Sequence, residues 1–335
     1  MNILYPVITN YSGADVYFQR LVASLAARGV QTQLHSYPHL LEFLPYRALK
    51  PFFGPAQNCD LVHSKAEYGW LFATPGVPLV VTLAHSVFDP AYDRYQNPLQ
   101  RCYHHWKVRA NIVRSFATAA RVVTVSRFSQ QAIQQTYGHP DVRVIYNAVD
   151  ETFFHPRPDE PPRADKHVRL LFVGNLTPRK GADLLPRILE RLGNEFVLEY
   201  TCGLRTRATP APHPRMRPLG RLSSQALREA YQRCDIFLFP SRLEGFGYPV
   251  AEAMACGKPV VTTNYAALPE LLDDERGGFL CPMDDVDSFA AKIRLLAADP
   301  GLRARMGAYN RAKVEQHFSL APWAANYLQL YRELL

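Results

Sequence analysis

Short runs of apolar, often β-branched residues alternate along this chain with stretches whose apolar positions recur at helical spacing. Residues 2–6 read as a strand. Residues 14–28 read as a helix: Phe18, Leu21, Val22 and Leu25 share one face, and Gly29 stands just past the end. Residues 30–34, 61–63, 79–83, 122–125 and 142–145 read as further strands. Strands separated by helices return in the same direction, so the pattern predicts a parallel, doubly wound sheet.

Residues 155–167 (HPRPDEPPRADKH) break the pattern with four prolines, many charges and almost no apolar residue, the composition of a linker. The alternation then restarts. Strands are predicted at 168–173, 196–201, 236–239 and 259–262, and helices at 182–192, 224–233 and 249–256, with three helical stretches closing the chain. The fold class that follows is α/β, with two Rossmann-like, doubly wound domains facing across a cleft. The first covers residues 1–154, the linker 155–167 and the second 168–317, with residues 318–335 as a terminal helical segment. Open α/β sheets bind ligands at the carboxyl ends of their strands, so functional residues are expected directly after strands.

One segment meets that test best: Ser241-Arg242-Leu243-Glu244-Gly245-Phe246-Gly247-Tyr248-Pro249-Val250-Ala251-Glu252 follows the strand at 236–239. Pro249 fits a first helical position, where its missing N–H costs nothing. The neighbouring free N–H groups of Tyr248 and Val250 can then point at an anion, and Gly245 and Gly247 let backbone approach it. Glu244 and Glu252, acceptor-only carboxylates, suit the vicinal hydroxyls of a ribose or sugar ring. The competing reading is a capped helix with solvated glutamates; the glycine pattern and the position after a strand count against it. A second strand–loop–helix passage, Val173-Gly174-Asn175-Leu176-Thr177-Pro178-Arg179-Lys180-Gly181, carries two adjacent cations able to neutralise a leaving diphosphate. A bare basic loop is the alternative there, but cations at a helix start oppose its dipole. In the first half, His85 ends the strand at 79–83, and Gly13 lies in the loop before the first helix.

These residues resemble a known family. The segment from Glu244 to Glu252, continued by Ala253-Met254-Ala255-Cys256-Gly257-Lys258-Pro259-Val260-Val261, looks like the E-x7-E motif of family 4 retaining glycosyltransferases, enzymes of the GT-B fold. The resemblance implies that Glu244 contacts the hydroxyls of the donor sugar and Glu252 the nucleotide ribose. It has amides around Phe246–Pro249 hold the donor phosphate and sugar, and Gly174 and Asn175 are counted among the donor-binding residues. It matches Lys180 to a family lysine, while Asn175 stands where the family usually has arginine, which leaves Arg179 as the candidate substitute; both cations are read as stabilising the leaving group. It gives His85 a contact near the reacting face of the sugar and has the loop at Gly13 line the acceptor side of the cleft with backbone N–H groups, Gly13 itself being counted with the donor-binding residues. Asn147-Ala148-Val149-Asp150 resembles the family's hinge motif, and the last helix is implied to cross back to the first domain. No cofactor is implied: a nucleotide sugar, UDP- or GDP-linked, is the substrate. The partners are that donor and a glycan or lipid-linked acceptor in envelope polysaccharide or glycolipid synthesis. Two rivals stay open, a sugar-nucleotide epimerase of the same fold and a non-catalytic protein that binds glycan or nucleic acid.

Composition narrows the picture further. The 335 residues carry a net charge of +8, which favours anionic partners. The first 150 hold 13 of the 38 basic and 8 of the 30 acidic residues, an excess of +5. Residues 37–53 mix aromatics, leucines and basic groups, which reads as core packing with irregular loops or as a patch facing a membrane or an acceptor lipid. Residues 101–114 add basic residues on a predicted helix; contact with an anionic membrane is the alternative they raise. Residues 205–221, with five arginines but few aromatics, read as a solvated loop rather than a nucleic-acid groove, so nucleic acid is not an expected partner. Asp285-Val286-Asp287 precedes a helix and reads as a cap, so no metal site is expected. The N-terminus lacks the features of a signal peptide, no apolar run approaches the ~20 residues of a spanning helix, and six scattered cysteines form no CxxC pair. A cytoplasmic location is expected, free or on the cytoplasmic face of a membrane.

Overall fold

The computed structural model describes residues 1–9, 13–44, 58–85, 88–89, 92, 94–157, 167–203 and 213–335. The chain divides into two units, residues 1–147 with 320–335 and residues 148–319. The division falls inside the segment Asn147-Ala148-Val149-Asp150, ahead of the proline-rich stretch read as a linker, whose residues 158–166 lie outside the described residues. The two points where the chain changes unit run side by side: the Val149 amide donates to the Phe318 carbonyl at 2.9 Å. Asp150 Oδ1 holds the turn that follows by accepting from the Phe153 amide at 2.9 Å and the Thr152 hydroxyl at 2.7 Å.

The first unit holds a six-stranded sheet, all parallel: β1 (Asn2–Ile8), β2 (Gln31–Tyr37), β3 (Leu61–Lys65), β4 (Leu79–Leu83), β5 (Arg121–Thr124) and β6 (Val142–Val144), ordered 2-1-3-4-5-6. β3 and β4 are buried along their whole length, as strands covered on both faces must be. The helix Gly13–Ala26 buries Phe18, Leu21 and Leu25 against this sheet. A helix the sequence reading passed over, Arg127–Tyr137, is capped by Ser126, whose hydroxyl accepts from the Ser129 amide at 3.1 Å.

The helix Leu320–Arg332 belongs to this unit. Its buried side chains, Trp323, Ala324, Tyr327, Leu330 and Tyr331, recur at helical spacing and meet an aromatic cluster with His63 at its centre. One ring nitrogen of His63 bonds the Tyr331 hydroxyl and the other the Thr82 hydroxyl, both at 2.7 Å; Tyr17 and Tyr327 extend the network. Each hydroxyl needs a partner because none can reach water.

Burial lowers the His63 pKa from 6.5 to about 3, so the ring is neutral when folded. The unfolded chain binds a proton below pH 6.5 that the folded chain refuses until about pH 3. This stabilisation is therefore complete above pH 6.5 and declines as pH falls between those values. Denaturant titrations over that window are expected to show a loss of about 1.4 kcal/mol per pH unit that His63→Leu abolishes. An unchanged pH slope in that variant would remove His63 as the cause.

The second unit repeats the architecture with β7 (Val168–Phe172), β8 (Phe196–Thr201), β9 (Met216–Gly220), β10 (Ile236–Phe239), β11 (Val260–Thr263) and β12 (Gly278–Cys281), all parallel. The order is β12-β11-β10-β7-β8-β9, so the winding reverses between β7 and β10. Two strands correct the sequence reading. Residues 216–220 lie in the stretch expected as a solvated loop, yet pair with β8 as an edge strand, where Pro218 needs no second partner; residues 204–212 lie outside the described residues. β12, Gly278-Phe279-Leu280-Cys281, begins at a glycine and has no β-branched residue, so it lacks the composition that marked β10 and β11. Among the described residues, no helix is long and apolar enough to cross a membrane.

Candidate active site

The loops after β7 and β10 leave neighbouring strands at the point where the sheet's winding reverses. In such a fold this is where adjacent loops part to opposite faces and leave room for a ligand. Both loops carry the charged residues singled out in the sequence.

After β7 the Gly174 amide donates to the Thr201 hydroxyl at 3.0 Å, closing the loop against the end of β8. Asn175 packs tightly on Gly203, where a Cβ would stand 1.8 Å from its Oδ1. Arg179 and Lys180 lie on a short 3-10 turn, Pro178–Lys180, and the helix begins only at Leu184. This corrects the expectation of cations at a helix N-terminus: they precede the helix, and the conflict with its dipole does not arise. Gly181 ends the turn at φ +71°, and a Cβ there would stand 2.1 Å from the Pro240 carbonyl oxygen, so only glycine lets the two loops approach this closely.

After β10, Ser241, Arg242, Leu243 and Glu244 are all buried. Arg242 acts as a clamp between the loops. Its guanidinium donates to both carboxylate oxygens of Asp183 at 2.7 and 2.8 Å, and also to Asp284 and the Pro178 carbonyl. The bidentate geometry fixes direction as well as distance. Arg179 crosses the other way, donating to the Leu243 carbonyl at 2.6 Å.

Glu244 sits at the centre. Its Oε1 accepts from the Lys180 ammonium and, at 2.6 Å, from the Ser241 hydroxyl, with the Arg179 guanidinium 4.0 Å away. Burial alone would raise the Glu244 pKa, but the Lys180 and Arg179 charges and the hydrogen bonds from Lys180 and Ser241 outweigh it and hold the carboxyl below the ordinary glutamate range. The result is a buried, ionised carboxylate joined to a buried ammonium on the facing loop.

The helix Tyr248–Ala255 starts from Gly247, which takes φ +106°. Tyr248 is the first helical residue and Pro249 the second, one place later than expected. The Val250 and Ala251 amides already donate to the Gly247 carbonyl at 3.0 and 3.2 Å, so an anion here must rely on amides ahead of Val250. Phe246 is buried edge-on to Tyr248 and Phe318, which leaves its backbone rather than its ring for a ligand. Glu252 is 7% exposed, and its Oε2 accepts from the Tyr231 hydroxyl at 3.1 Å. Burial, reinforced by the Glu252 charge, raises the Tyr231 pKa well above its usual value, so the phenol remains a neutral donor.

The second unit thus brings together Gly174, Arg179, Lys180, Glu244, Gly245 and Gly247. His85 and Gly13 belong to the first unit: His85 is half-buried just beyond β4, and Gly13 opens the first helix, next to residues 10–12, which lie outside the described residues. Sequence reasoning missed Ser241, Arg242, Asp183, Asp284 and Tyr231. Their partners lie 3 to 64 residues away, and only the Ser241–Glu244 spacing was open to a local reading. Asp285 accepts from the Ser288 amide at 3.0 Å as a helix cap, and Asp287 pairs with Arg191 at 2.8 Å.

The likeness to known proteins covers both units. An α-maltose-1-phosphate synthase of Mycolicibacterium smegmatis is 29% identical over 83% of this chain and 80% of its own length. A GDP-mannose-dependent monoacylated α-(1-6)-phosphatidylinositol monomannoside mannosyltransferase of Corynebacterium glutamicum is 30% identical over 62% of this chain and 61% of its own. The fold matches that of Anabaena HepE, solved in complex with UDP-glucose, with a TM-score of 0.80 at 18% identity over 99% of this chain and 100% of that one. A "Glycosyltransferase Family 4" model matches residues 11–153 and a "Glycosyl transferases group 1" model residues 167–299. With one model on each unit and the two charged loops meeting where the second sheet reverses, the chain is a glycosyltransferase and belongs to family 4.

Proposed function

We propose that this glycosyltransferase moves a sugar, with retention of configuration and without a metal, from a UDP- or GDP-linked donor to a glycan or lipid-linked acceptor. The observation that carries this reading is the buried Lys180–Glu244 pair, flanked by Arg179 and Ser241. A departing nucleoside diphosphate gathers negative charge as its bond to the sugar breaks. Cations fixed in advance stabilise that charge without reorganising, often the largest single contribution to catalysis. Lys180 and Arg179 supply the positive charge a metal would otherwise bring. Glu244, held ionised, accepts hydrogen bonds from donor-sugar hydroxyls, and Glu252 from the ribose.

With Glu244 and Glu252 assigned to binding, the reaction is not routed through a covalent sugar intermediate on either of them. The acceptor oxygen attacks the anomeric carbon on the face the diphosphate leaves; the bond to the phosphate oxygen breaks, and that oxygen takes the acceptor's proton. His85 contacts the sugar near the reacting face, and the first unit receives the acceptor. Peripheral contact of that unit with an anionic membrane belongs to the same reading. The names of the relatives support it: one acts with GDP-mannose on an acylated phosphatidylinositol mannoside, and the structural neighbour holds UDP-glucose.

Thermal unfolding of the chain with UDP-, GDP- and ADP-sugars tests the donor. One UDP- or GDP-sugar is expected to raise the midpoint, and turnover of that donor is expected to survive EDTA. Loss of turnover in EDTA would overturn metal independence. Consumption of the donor to a new sugar nucleotide, with no acceptor product, would favour an epimerase instead.

A further inference from the structure

Residues 98–118 form one continuous helical segment: Pro98–Tyr103, a wider π turn His104–Val108, then Arg109–Thr118. Asn97 starts it with a reciprocal cap, its side chain accepting from the Gln100 amide at 2.8 Å while Gln100 accepts from the Asn97 amide at 3.1 Å. Val108, Ile112 and Phe116 are buried beneath it, an ordinary inner face. Outside that inner face three apolar residues are exposed, Leu99 at 82%, Trp106 at 73% and Val113 at 46%. The turn His39–Phe43 lies against the inner side of this segment, where Leu41 and Leu44 share a cavity with Tyr103 and the Lys107 ammonium donates to the Leu44 carbonyl at 3.4 Å.

Single exposed apolar residues need no explanation, but the charge pattern around these does. From residue 97 to residue 120 the chain has Arg101, Lys107, Arg109 and Arg114, two histidines, and no aspartate or glutamate. Arg109 is drawn inward to the Thr136 carbonyl, and Arg114 lies over the Trp70 ring with its surface exposed. A helix face turned only to water normally mixes both signs of charge. Glu67 faces the inner side of the segment beside Lys107, but the segment itself carries no carboxylate, and an exposed tryptophan and leucine among such cations is the pattern of a helix lying in a membrane interface.

We propose that this segment seats the first unit on the surface of an anionic membrane. Leu99, Trp106 and Val113 enter the headgroup region, and the exposed Arg101 and Arg114 pair with lipid phosphates. The proposal rests on the reading above that the acceptor is lipid-linked, and it gives the contact a place and a purpose. On the inner side of the segment, Tyr103, Lys107 and Val108 line a small cavity with Ile8, Tyr68 and Leu71. Ile8 is the last residue of β1, and the Tyr68 hydroxyl, just past β3, accepts from its amide at 2.9 Å. The first sheet reverses its winding between β1 and β3, so the segment lies at the ligand-binding end of that sheet. Membrane contact here brings that end to the surface where a lipid-linked acceptor presents its headgroup.

Sedimentation of the full chain with vesicles tests this. Binding is expected to vesicles of equimolar phosphatidylcholine and phosphatidylglycerol, to weaken with added salt, and to be far weaker to phosphatidylcholine alone. Arg101→Glu with Arg114→Glu is expected to lower binding by roughly tenfold or more, from the contribution of each cation near an anionic surface. Leu99→Ser with Trp106→Ser is expected to weaken it similarly, whereas Leu295→Ser, at an exposed leucine of the second unit, leaves it unchanged. Donor-induced thermal shifts without vesicles are expected to be those of the wild type in every variant, because none of these residues belongs to the donor site. Equal binding to neutral and anionic vesicles, or binding indifferent to these substitutions, overturns the membrane proposal while leaving donor transfer standing. Failure of every donor to bind overturns the transfer reading by a separate measurement.

Discussion

Lys180→Ala is expected to lower kcat by about 10²–10³-fold, the cost of removing one preorganised donor to a developing anion. Lys180 has two roles in the proposed chemistry: it faces the diphosphate, and it pairs with Glu244 from the loop 64 residues away. Burial lowers the Lys180 pKa and Arg179 adds to that effect, while Glu244 draws it back toward the charged form. Glu244 is therefore the residue that keeps the ammonium charged inside the protein. Removing Lys180 leaves Glu244 with the Ser241 hydroxyl at 2.6 Å and Arg179 at 4.0 Å, so the fold is expected to survive, and thermal unfolding checks that. Lys180→Arg keeps the charge but not the shape, and is expected to recover part of the rate. Because the two residues act as one unit, the double variant with Glu244→Ala is expected to cost far less than the product of the single losses. Steady-state turnover at saturating donor is measured for the wild type, both Lys180 variants, Glu244→Ala and the double variant. Turnover within a few-fold of wild type in Lys180→Ala would sink the assignment.

Glu252→Ala is expected to act on donor binding and on stability together. A hydrogen bond to a charged group is worth about 1.5–3 kcal/mol, which corresponds to a rise in donor KM of roughly ten- to a hundredfold. The same substitution strips the fully buried Tyr231 hydroxyl of its 3.1 Å acceptor and is expected to cost a further ~1–3 kcal/mol of folding stability. Tyr231→Phe separates the two effects: it keeps the carboxylate for the ribose and is expected to raise KM far less than Glu252→Ala. Donor KM and denaturant unfolding of both variants decide the matter. A KM unchanged in Glu252→Ala would leave the residue a structural role only.

Much of this was open to a reading of the sequence. Alternation between short apolar runs and amphipathic stretches is a local property, and it foretold two parallel α/β sheets. The rule that ligands gather after strands then singled out the loops holding Lys180 and Glu244. What escaped was whatever lacked a local signature. β9 escaped because its composition is that of a loop and only its pairing with β8 makes it a strand. Arg242 stood in plain view within the best motif, yet its partner Asp183 lies 59 residues earlier and nothing in either neighbourhood announces the other. His63 could be read only as part of a short apolar strand, and its network with Thr82 and Tyr331 spans 268 residues.

By itself, the sequence determined the kinds of element, their direction of pairing, the glycine and charge chemistry of two loops, and the family resemblance. Those depend on periodicity and on residue type at fixed spacing, which the chain carries locally. Only the tertiary structure decided the order of the strands, and with it the reversal between β7 and β10 that makes the two loops neighbours. Strand order is a property of which buried faces fit together, and no short stretch of sequence records it. That order turns a lysine and a glutamate 64 residues apart into one buried ion pair and gives Arg242 two loops to hold.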